Sequence, residues 1–428
     1  LYDIPAGEEA DLFWQKIERL AVETPGGDEL RYVRVFAALF ALPDPTGQPP
    51  LEGEQFKREL YAVMAQIWSA RFAERPSVLF IDDLHWADSA SVELLLHLLP
   101  VIETSPLVLL CAFRPDRGAP SYQVKQAADA DYAHRYTEIN LRPLTEDESD
   151  ELVNRLLTIA DLPDSLRRRI WERSGGNPFY VEEVVRTLFE SGAVVAEDRT
   201  EEGQQRRYWR AVSEQAAIDI PENLQGLLTS RIDRLEEETR HVLQLASVIG
   251  RSFYHSVLTE ISRQEDLPLD MVDQQVGRLV RLEMIQEAAR VPNVEYRFRN
   301  PMTQEVAYQS ILLKRRREFH RRVGAALEAL FPDRLGELAT RLAFHYSEGR
   351  QADKALAHYT QVGDQAFRLF ALEEALQSYD QALEWATLGD ADSTQLIHLY
   401  QRRGRVLELM LRHDEALDTY KALEALGE

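Results

Sequence analysis

With 428 residues, 45% of them apolar and 28% charged, the chain is long enough to bury about two to four hydrophobic cores. Its formal net charge of -23 sets the surface as a whole against the phosphate backbone of nucleic acid, and no window of roughly eighteen uninterrupted apolar residues offers a membrane-spanning helix. The single cysteine, Cys111, rules out an intramolecular disulfide and fits a reducing, cytoplasmic compartment, while no basic segment followed by an apolar run marks a signal peptide.

In chain order, residues 9 to 22 and 54 to 73 place apolar side chains at helical spacing, and the Pro- and Gly-rich DPTGQPPLEG between them marks a loop. Val78 to Ile81 then form a continuous apolar run that stops abruptly at Asp82 and Asp83. Such a run reads as a buried parallel strand, and a doubly wound sheet holds its ligands at the carboxyl edge where these acids stand. Asp88 reads as the N-cap of a helix over 89 to 99, and His85 and Trp86 as packing residues of the connecting turn.

Pro106 introduces a second apolar run, LVLLCAF, in which Cys111 reads as a buried strand thiol. Alternating strands and helices point to an α/β layer with a parallel sheet. Arg114 follows this strand at the same edge as the acids, where its guanidinium could meet a terminal phosphate or simply neutralise Asp82 and Asp83. A third extended piece is expected at 135 to 141. Thr145 and Glu148 are spaced as a capping box for the next helix, followed by helices at 146 to 158 and 163 to 173. Gly175, Gly176, Asn177 and Pro178 then make a turn into another helix, a turn that could approach a ligand or could be only a turn.

Taken in order, FIDDLHWAD, LCAFRPD, LRPLTEDE and SGGNPFYVEEVV resemble the nucleotide-binding module of the signal-transduction ATPases with numerous domains, a branch of the AAA-type P-loop NTPases found in large bacterial regulators. By that resemblance Asp82 is the Walker B acid that holds magnesium through water, and Asp83 the acid beside it that handles the attacking water. Arg114 takes the sensor position. Gly176, Asn177 and Pro178 belong to the lid motif, with Pro178 near the adenine. The resemblance implies ATP or ADP with Mg2+ as cofactors. One departure stands out: the pattern G-x-x-x-x-G-K-[ST] is absent, since no glycine here is followed by lysine. The resemblance places that loop upstream of Leu1, so the chain alone is expected to bind ATP poorly and to hydrolyse it negligibly.

Beyond the lid, GAVVAED and YWRAV read as a hairpin. Residues from Pro221 onward, with a strand pair around 284 to 299, resemble the winged-helix domain of the same family. The basic KRRREFHRR at 314 to 322 is read as the solvated side of a helix whose apolar face carries Leu313, Phe319, Val323, Leu327 and Leu330, which makes direct nucleic-acid binding by this stretch the weaker alternative. From about residue 335 an A-L-x-x-Y frame recurs at Ala355, Ala375 and Ala416, resembling the second helices of tetratricopeptide repeats, against the alternative of a plain helical bundle. The array stops without a polar capping helix.

The expected architecture is therefore multidomain: an incomplete P-loop NTPase core over 1–141, a helical lid with a hairpin over 142–220, a winged-helix domain over 221–330 and a tetratricopeptide-like solenoid over 331–428. By resemblance, the chain is part of a nucleotide-controlled signalling switch, with a protein or small-molecule inducer captured by the repeats and a nucleotide-dependent homo-oligomer as output. Two rivals stay open: a non-catalytic repeat scaffold with a degenerate ATPase core, and a DNA-binding regulator acting through the winged helix.

Overall fold

A computed structural model describes residues 10–40, 42, 44, 46–157, 160–190, 192–201, 204–211, 221, 223–265, 267–290, 293–389 and 391–426. Of the polar stretch at 200–207 expected between the two lid strands, residues 202 and 203 lie outside these residues, as does the start of the chain, whereas 200, 201 and 204–207 belong to strands. The chain forms two compact units, one built from residues up to Thr137 together with those from Leu327 onward, the other from Glu138–Ala326.

The first unit opens with three helices, Ala10–Glu23 (α1), Glu29–Leu39 (α2) and Gly53–Phe72 (α3). Phe13, Ile17 and Leu20 on α1 recur at helical spacing and meet Tyr32, Val33 and Phe36 of α2 and Phe56, Val63 and Ile67 of α3 in one apolar cluster. Strand Ser77–Ile81 (β1), helices Ser89–Leu98 (α4) and Val101–Thr104 (α5), strand Leu107–Cys111 (β2) and helix Tyr122–Asp131 (α6) follow. The two strands pair in parallel, Val78 opposite Val108 and Phe80 opposite Leu110.

Among the described residues, helices cover one face of this sheet. Leu79, Ile81, Leu109 and Cys111 pack against a second cluster formed by Trp68 and Phe72 of α3, Val92, Leu95 and Leu98 of α4, and Val124 of α6. On the opposite face Val78, Phe80, Val108 and Leu110 are 69%, 54%, 60% and 47% exposed. Burial of the whole run, expected from its apolar continuity, is thus corrected for these four side chains: the described residues supply helices to one side alone. Nor do residues 135–141 form a strand. Residues 137–141 have no strand assignment among the described residues, and Ile139 and Leu141 lie exposed.

The second unit runs through Glu146–Leu157 (α7), Ala160–Asp161 (β3), Asp164–Ser174 (α8), Pro178–Glu190 (α9), Val194–Glu201 (β4) and Gln204–Ala211 (β5), then Leu224–Asp233 (α10), Glu237–Ile249 (α11), Ser252–Tyr254 (β6), His255–Arg263 (α12), Leu269–Arg281 (α13), Ile285–Ala289 (β7), Glu295–Phe298 (β8) and Pro301–Gln309 (α14). The hairpin of β4 and β5 is present, with β3 added in parallel to β5, and a second sheet has the order β6-β8-β7 with antiparallel pairs. Val153, Leu166, Ile170, Val181, Val184 and Leu227 share one core across α7 to α10. Arg231 of α10 is fully buried; it pairs with Glu183 and Glu190 of α9 and donates to the carbonyl of Leu282 just past α13.

Helix Leu313–Leu330 (α15) comes next, and Phe319, Val323 and Leu327 are buried as its apolar period requires. Leu313 and Leu330, expected on the same face, are exposed because they lie at the helix ends. The array continues with Ala339–Glu348 (α16), Ala352–Arg368 (α17), Leu372–Leu388 (α18), Ser393–Leu409 (α19) and His413–Ala425 (α20). The A-L-x-x-Y frames fall on α17, α18 and α20. Helix α17 packs against both α16 and α18, so it is the second helix of one hairpin and the first of the next. This double use explains why the first interval spans one helix and the second spans two. Three hairpin turns share one closure: Arg350, Phe370 and Leu411 take φ values of 56°, 57° and 61°, and the following N–H reaches back five residues, as from Ala371 to the carbonyl of Ala366 at 2.9 Å.

Candidate functional site

The parallel pairing puts the carboxyl ends of β1 and β2 side by side, and two backbone hydrogen bonds tie the residues that follow to that rim. Ala112 donates its N–H to the carbonyl of Ile81 at 2.9 Å, and Leu84 donates to the carbonyl of Ala112 at 3.0 Å. Between these bonds stand Asp82, exposed, and Asp83, half-buried. Asp82 Oδ1 accepts the N–H of Asp83 at 2.9 Å, and Asp83 is held in the left-handed region at φ 53°. A non-glycine residue there costs on the order of 1–3 kcal/mol and persists where surrounding bonds over-determine it. Here those bonds turn the chain sharply after Asp82 and direct it into the short 3-10 turn of Leu84–Trp86.

Arg114 emerges two residues beyond the rim and is exposed. Among the described residues no ion pair joins its guanidinium to Asp82 or Asp83, so it does not neutralise them directly. His85 contributes two buried ring nitrogens without a hydrogen-bond partner among the described residues, next to the Trp86 ring, which is itself exposed; buried polar atoms of this kind ordinarily find a partner. Asp88 caps α4 as expected, accepting the N–H of Ser91 at 2.6 Å. Cys111, half-buried on β2, has its thiol pushed up to about 11 by burial, which makes it an inert packing group.

Whether these residues suit a magnesium nucleotide turns on their donor chemistry. Among the described residues no three acids, histidines or cysteines converge into a ready-made cage. Magnesium keeps several waters and takes one or two carboxylates plus phosphate oxygens, so an exposed Asp82 at a sheet edge fits the ion. The glycine-rich cradle and its lysine are not in the sequence.

The second group of expected site residues lies in the other unit. Gly175 closes α8 at φ 55°, and Gly176 has φ 75°. A Cβ on Gly176 would stand 2.4 Å from the Leu144 carbonyl oxygen, and Leu144 donates its N–H to the Gly176 carbonyl at 2.8 Å. The close approach that requires glycine is therefore to the protein's own backbone. Asn177 Oδ1 accepts the N–H of Phe179 at 3.0 Å and caps α9, and Pro178 is the exposed first residue of that helix. The Thr145 and Glu148 capping box is formed, with Glu148 accepting the N–H of Thr145 at 2.8 Å.

In the basic stretch of α15, Arg315 and Arg322 both pair with Glu265, and Arg316 donates to the carbonyls of Gln309 and Ile311. These cations are engaged within the protein. On the repeats a cavity of about 460 Å³ is lined by Thr360, Gln361, Asp364, Arg368 and Arg402. Sequence reasoning did not single out this cavity, because its lining comes from two separate helices and no short motif joins them.

Residues 6–110 match the family model of the AAA ATPase domain, and residues 145–201 match a domain of unknown function. An uncharacterized protein of Rhizobium meliloti (strain 1021) is 24% identical over 379 residues, covering 86% of this chain and 34% of that protein. The chain thus spans about a third of the curated relative it matches. Among solved structures, a signal transduction ATPase with numerous domains carrying a tetratricopeptide repeat sensor, from Pyrococcus horikoshii, aligns over 99% of this chain and 64% of its own, with 13% identity and a TM-score of 0.40. The match at residues 6–110 makes that stretch similar to an AAA ATPase domain, and the architecture is multidomain and mostly helical, with a small parallel sheet and a helical repeat array.

Proposed function

We propose that the chain is the switch portion of a nucleotide-dependent regulator, in which Asp82 and Asp83 face a magnesium nucleotide at the rim of the sheet and the helical repeats receive the signal. The observation that carries this reading is the position of the two acids: both follow a parallel strand of an AAA ATPase domain at its carboxyl edge, and Asp82 is open to solvent. Bound magnesium–ATP supplies the labile phosphoryl bond. Asp82 would hold the ion through its water shell, Asp83 would orient a water and accept its proton, and Arg114 would meet phosphate charge.

The uncovered sheet face supports a further layer in the working protein. Burying side chains the size of Val78, Phe80, Val108 and Leu110 is worth about 1.5–3 kcal/mol each, and leaving them in water is a standing cost. A strand and helix bearing the glycine-rich cradle would cover them. Residues 142–220 would then act as lid, 221–330 as a winged helix relaying nucleotide state, and 331–428 as the tetratricopeptide-like surface for a protein or small-molecule inducer. Nucleotide and inducer shift the switch only to the extent that each binds its two states with different affinity.

Calorimetric titration of magnesium–ATP into the 428-residue chain and into a polypeptide extended upstream tests the reading. The expected result is weak binding by the former, tight binding by the latter, and loss of the magnesium dependence on Asp82→Ala. Equal affinity for both polypeptides, unaffected by Asp82→Ala, would overturn it.

A further inference from the structure

Within the first unit, the turn between α17 and α18 reaches the N-terminus of α4, the helix that follows the acid loop. Ser89 and Ala90 open α4 immediately after the loop that carries Asp82, Asp83 and Asp88. The first N–H groups of a helix have no partner inside it. Here Asp88 serves Ser91, and the other two are served from the repeats: Glu374, in the first turn of α18, accepts the N–H of Ser89 at 2.8 Å and of Ala90 at 3.4 Å through one carboxylate oxygen. A carboxylate against a helix N-terminus is also favoured by the helix dipole.

The rest of that turn grips the same region. Leu369 packs on the cluster of α1, α2 and α3, and Phe370 has its ring centroid 5.8 Å from the ammonium of Lys57 on α3, which in turn pairs with Glu93 on α4. Opposite the ring is Gly53, where a Cβ would lie 3.8 Å from Phe370. Phe370 is a bulky residue in the left-handed region at φ 57°, a conformation that glycine adopts at lower cost. Its side chain is engaged with α3 at the point where the backbone is strained.

We propose that Glu374 is a positioning residue for the acid loop, and that the turn between α17 and α18 is the part through which the repeats set the geometry of Asp82 and Asp83. This rests on the reading of those acids given above. Displacing the turn, by a ligand on the repeats or by mutation, withdraws the cap from Ser89 and Ala90 and frees the loop. By reciprocity, a nucleotide that reorders the loop changes the affinity of the repeats for their ligand by the same factor.

Amide hydrogen exchange on the intact chain tests this without nucleotide. In Glu374→Ala the Ser89 and Ala90 amides are expected to exchange on the order of tenfold faster, with Leu95 and Leu98 unchanged within about twofold. Phe370→Gly, which touches neither amide and relieves the backbone, is expected to accelerate the same two positions. Unchanged exchange at Ser89 and Ala90 in Glu374→Ala, or acceleration spread evenly through α4, overturns the proposal and leaves the roles of Asp82 and Asp83 standing. In an upstream-extended polypeptide that hydrolyses ATP, Glu374→Ala is expected to lower kcat several-fold with KM held within about twofold, since it alters loop geometry and not nucleotide contacts; an unchanged kcat contradicts positioning. Absence of hydrolysis in the unsubstituted polypeptide would instead count against the nucleotide reading.

Discussion

Gly363 lies beneath the ring of Tyr379: a Cβ placed on the glycine would stand 2.6 Å from the ring, and the same relation recurs between Gly404 and Tyr420 at 2.5 Å. Each pair joins a helix to the following one, α17 to α18 and α19 to α20. In these two frames the tyrosine is therefore a knob that needs a missing side chain opposite it. Tyr379 is fully buried and its hydroxyl donates to Asp364 at 2.7 Å, so the ring has no room to retreat.

Gly363→Ala is accordingly expected to destabilise the array by about 1–3 kcal/mol, the range for overpacking a tight contact. Adding Tyr379→Leu should recover part of that loss, because the two changes act on one contact. Urea titration of the single and double variants checks this, and additive losses would show that the glycine matters for another reason.

Arg231 is 3% exposed and holds two carboxylates and one carbonyl, with Glu183 at 2.6 Å, Glu190 at 2.6 Å and the Leu282 oxygen at 2.6 Å. Removing the guanidinium leaves buried Glu183 without its main counter-charge. Arg231→Met is expected to cost on the order of 3–5 kcal/mol, and Arg231→Lys to rescue little, since one ammonium cannot reproduce the fork. Thermal unfolding monitored by circular dichroism measures both; a loss below about 1 kcal/mol would place the network among exposed surface pairs in value.

His320 supplies a pH dependence. It is buried on α15 beside the Tyr308 hydroxyl, 3.0 Å from Nε2, and burial together with Arg316 pushes its pKa from 6.5 down to about 4. Above pH 6.5 the ring is neutral in both folded and unfolded chains. As pH falls from 6.5 toward 4 the unfolded chain binds a proton that the folded one refuses, so stability declines across that window and levels off below it. The difference is on the order of 3 kcal/mol. Comparing urea midpoints of the unsubstituted chain and His320→Gln at pH 7.5 and pH 5 isolates it: the former should lose more stability than the latter, and equal losses would remove His320 as the cause.

Gly176→Ala is expected to destabilise the second unit by about 1–3 kcal/mol, because the new methyl meets the Leu144 carbonyl and the residue must hold φ 75°. The readout is the unfolding midpoint of the intact chain. An unchanged midpoint would free Gly176 from a packing role.

Much of the layout was legible in the sequence where short-range chemistry dictates it. The apolar run ending in Asp82 and Asp83, the cap at Asp88 and the box of Thr145 with Glu148 each involve residues a few positions apart, and the structure holds all of them. What one strand faces was not legible. Val78 and Leu79 are equally apolar, yet one is exposed and the other packs on α3 and α4, because coverage depends on elements elsewhere in the chain. The Glu374 cap lies 285 residues from Ser89 and leaves no local trace. Double use of α17 was hidden too, since the frame marks a helix and not its partners.

In the proposed switch, Asp83 acts on the water that attacks a bound nucleotide. The most direct test of this role is single-turnover hydrolysis and nucleotide binding in an upstream-extended polypeptide carrying Asp83→Ala. The expected result is hydrolysis lost by a hundredfold or more, the scale of a missing general base, with ATP affinity kept within about threefold. Turnover equal to that of the unsubstituted polypeptide would contradict the claim and leave the ATPase core as a scaffold for the repeats.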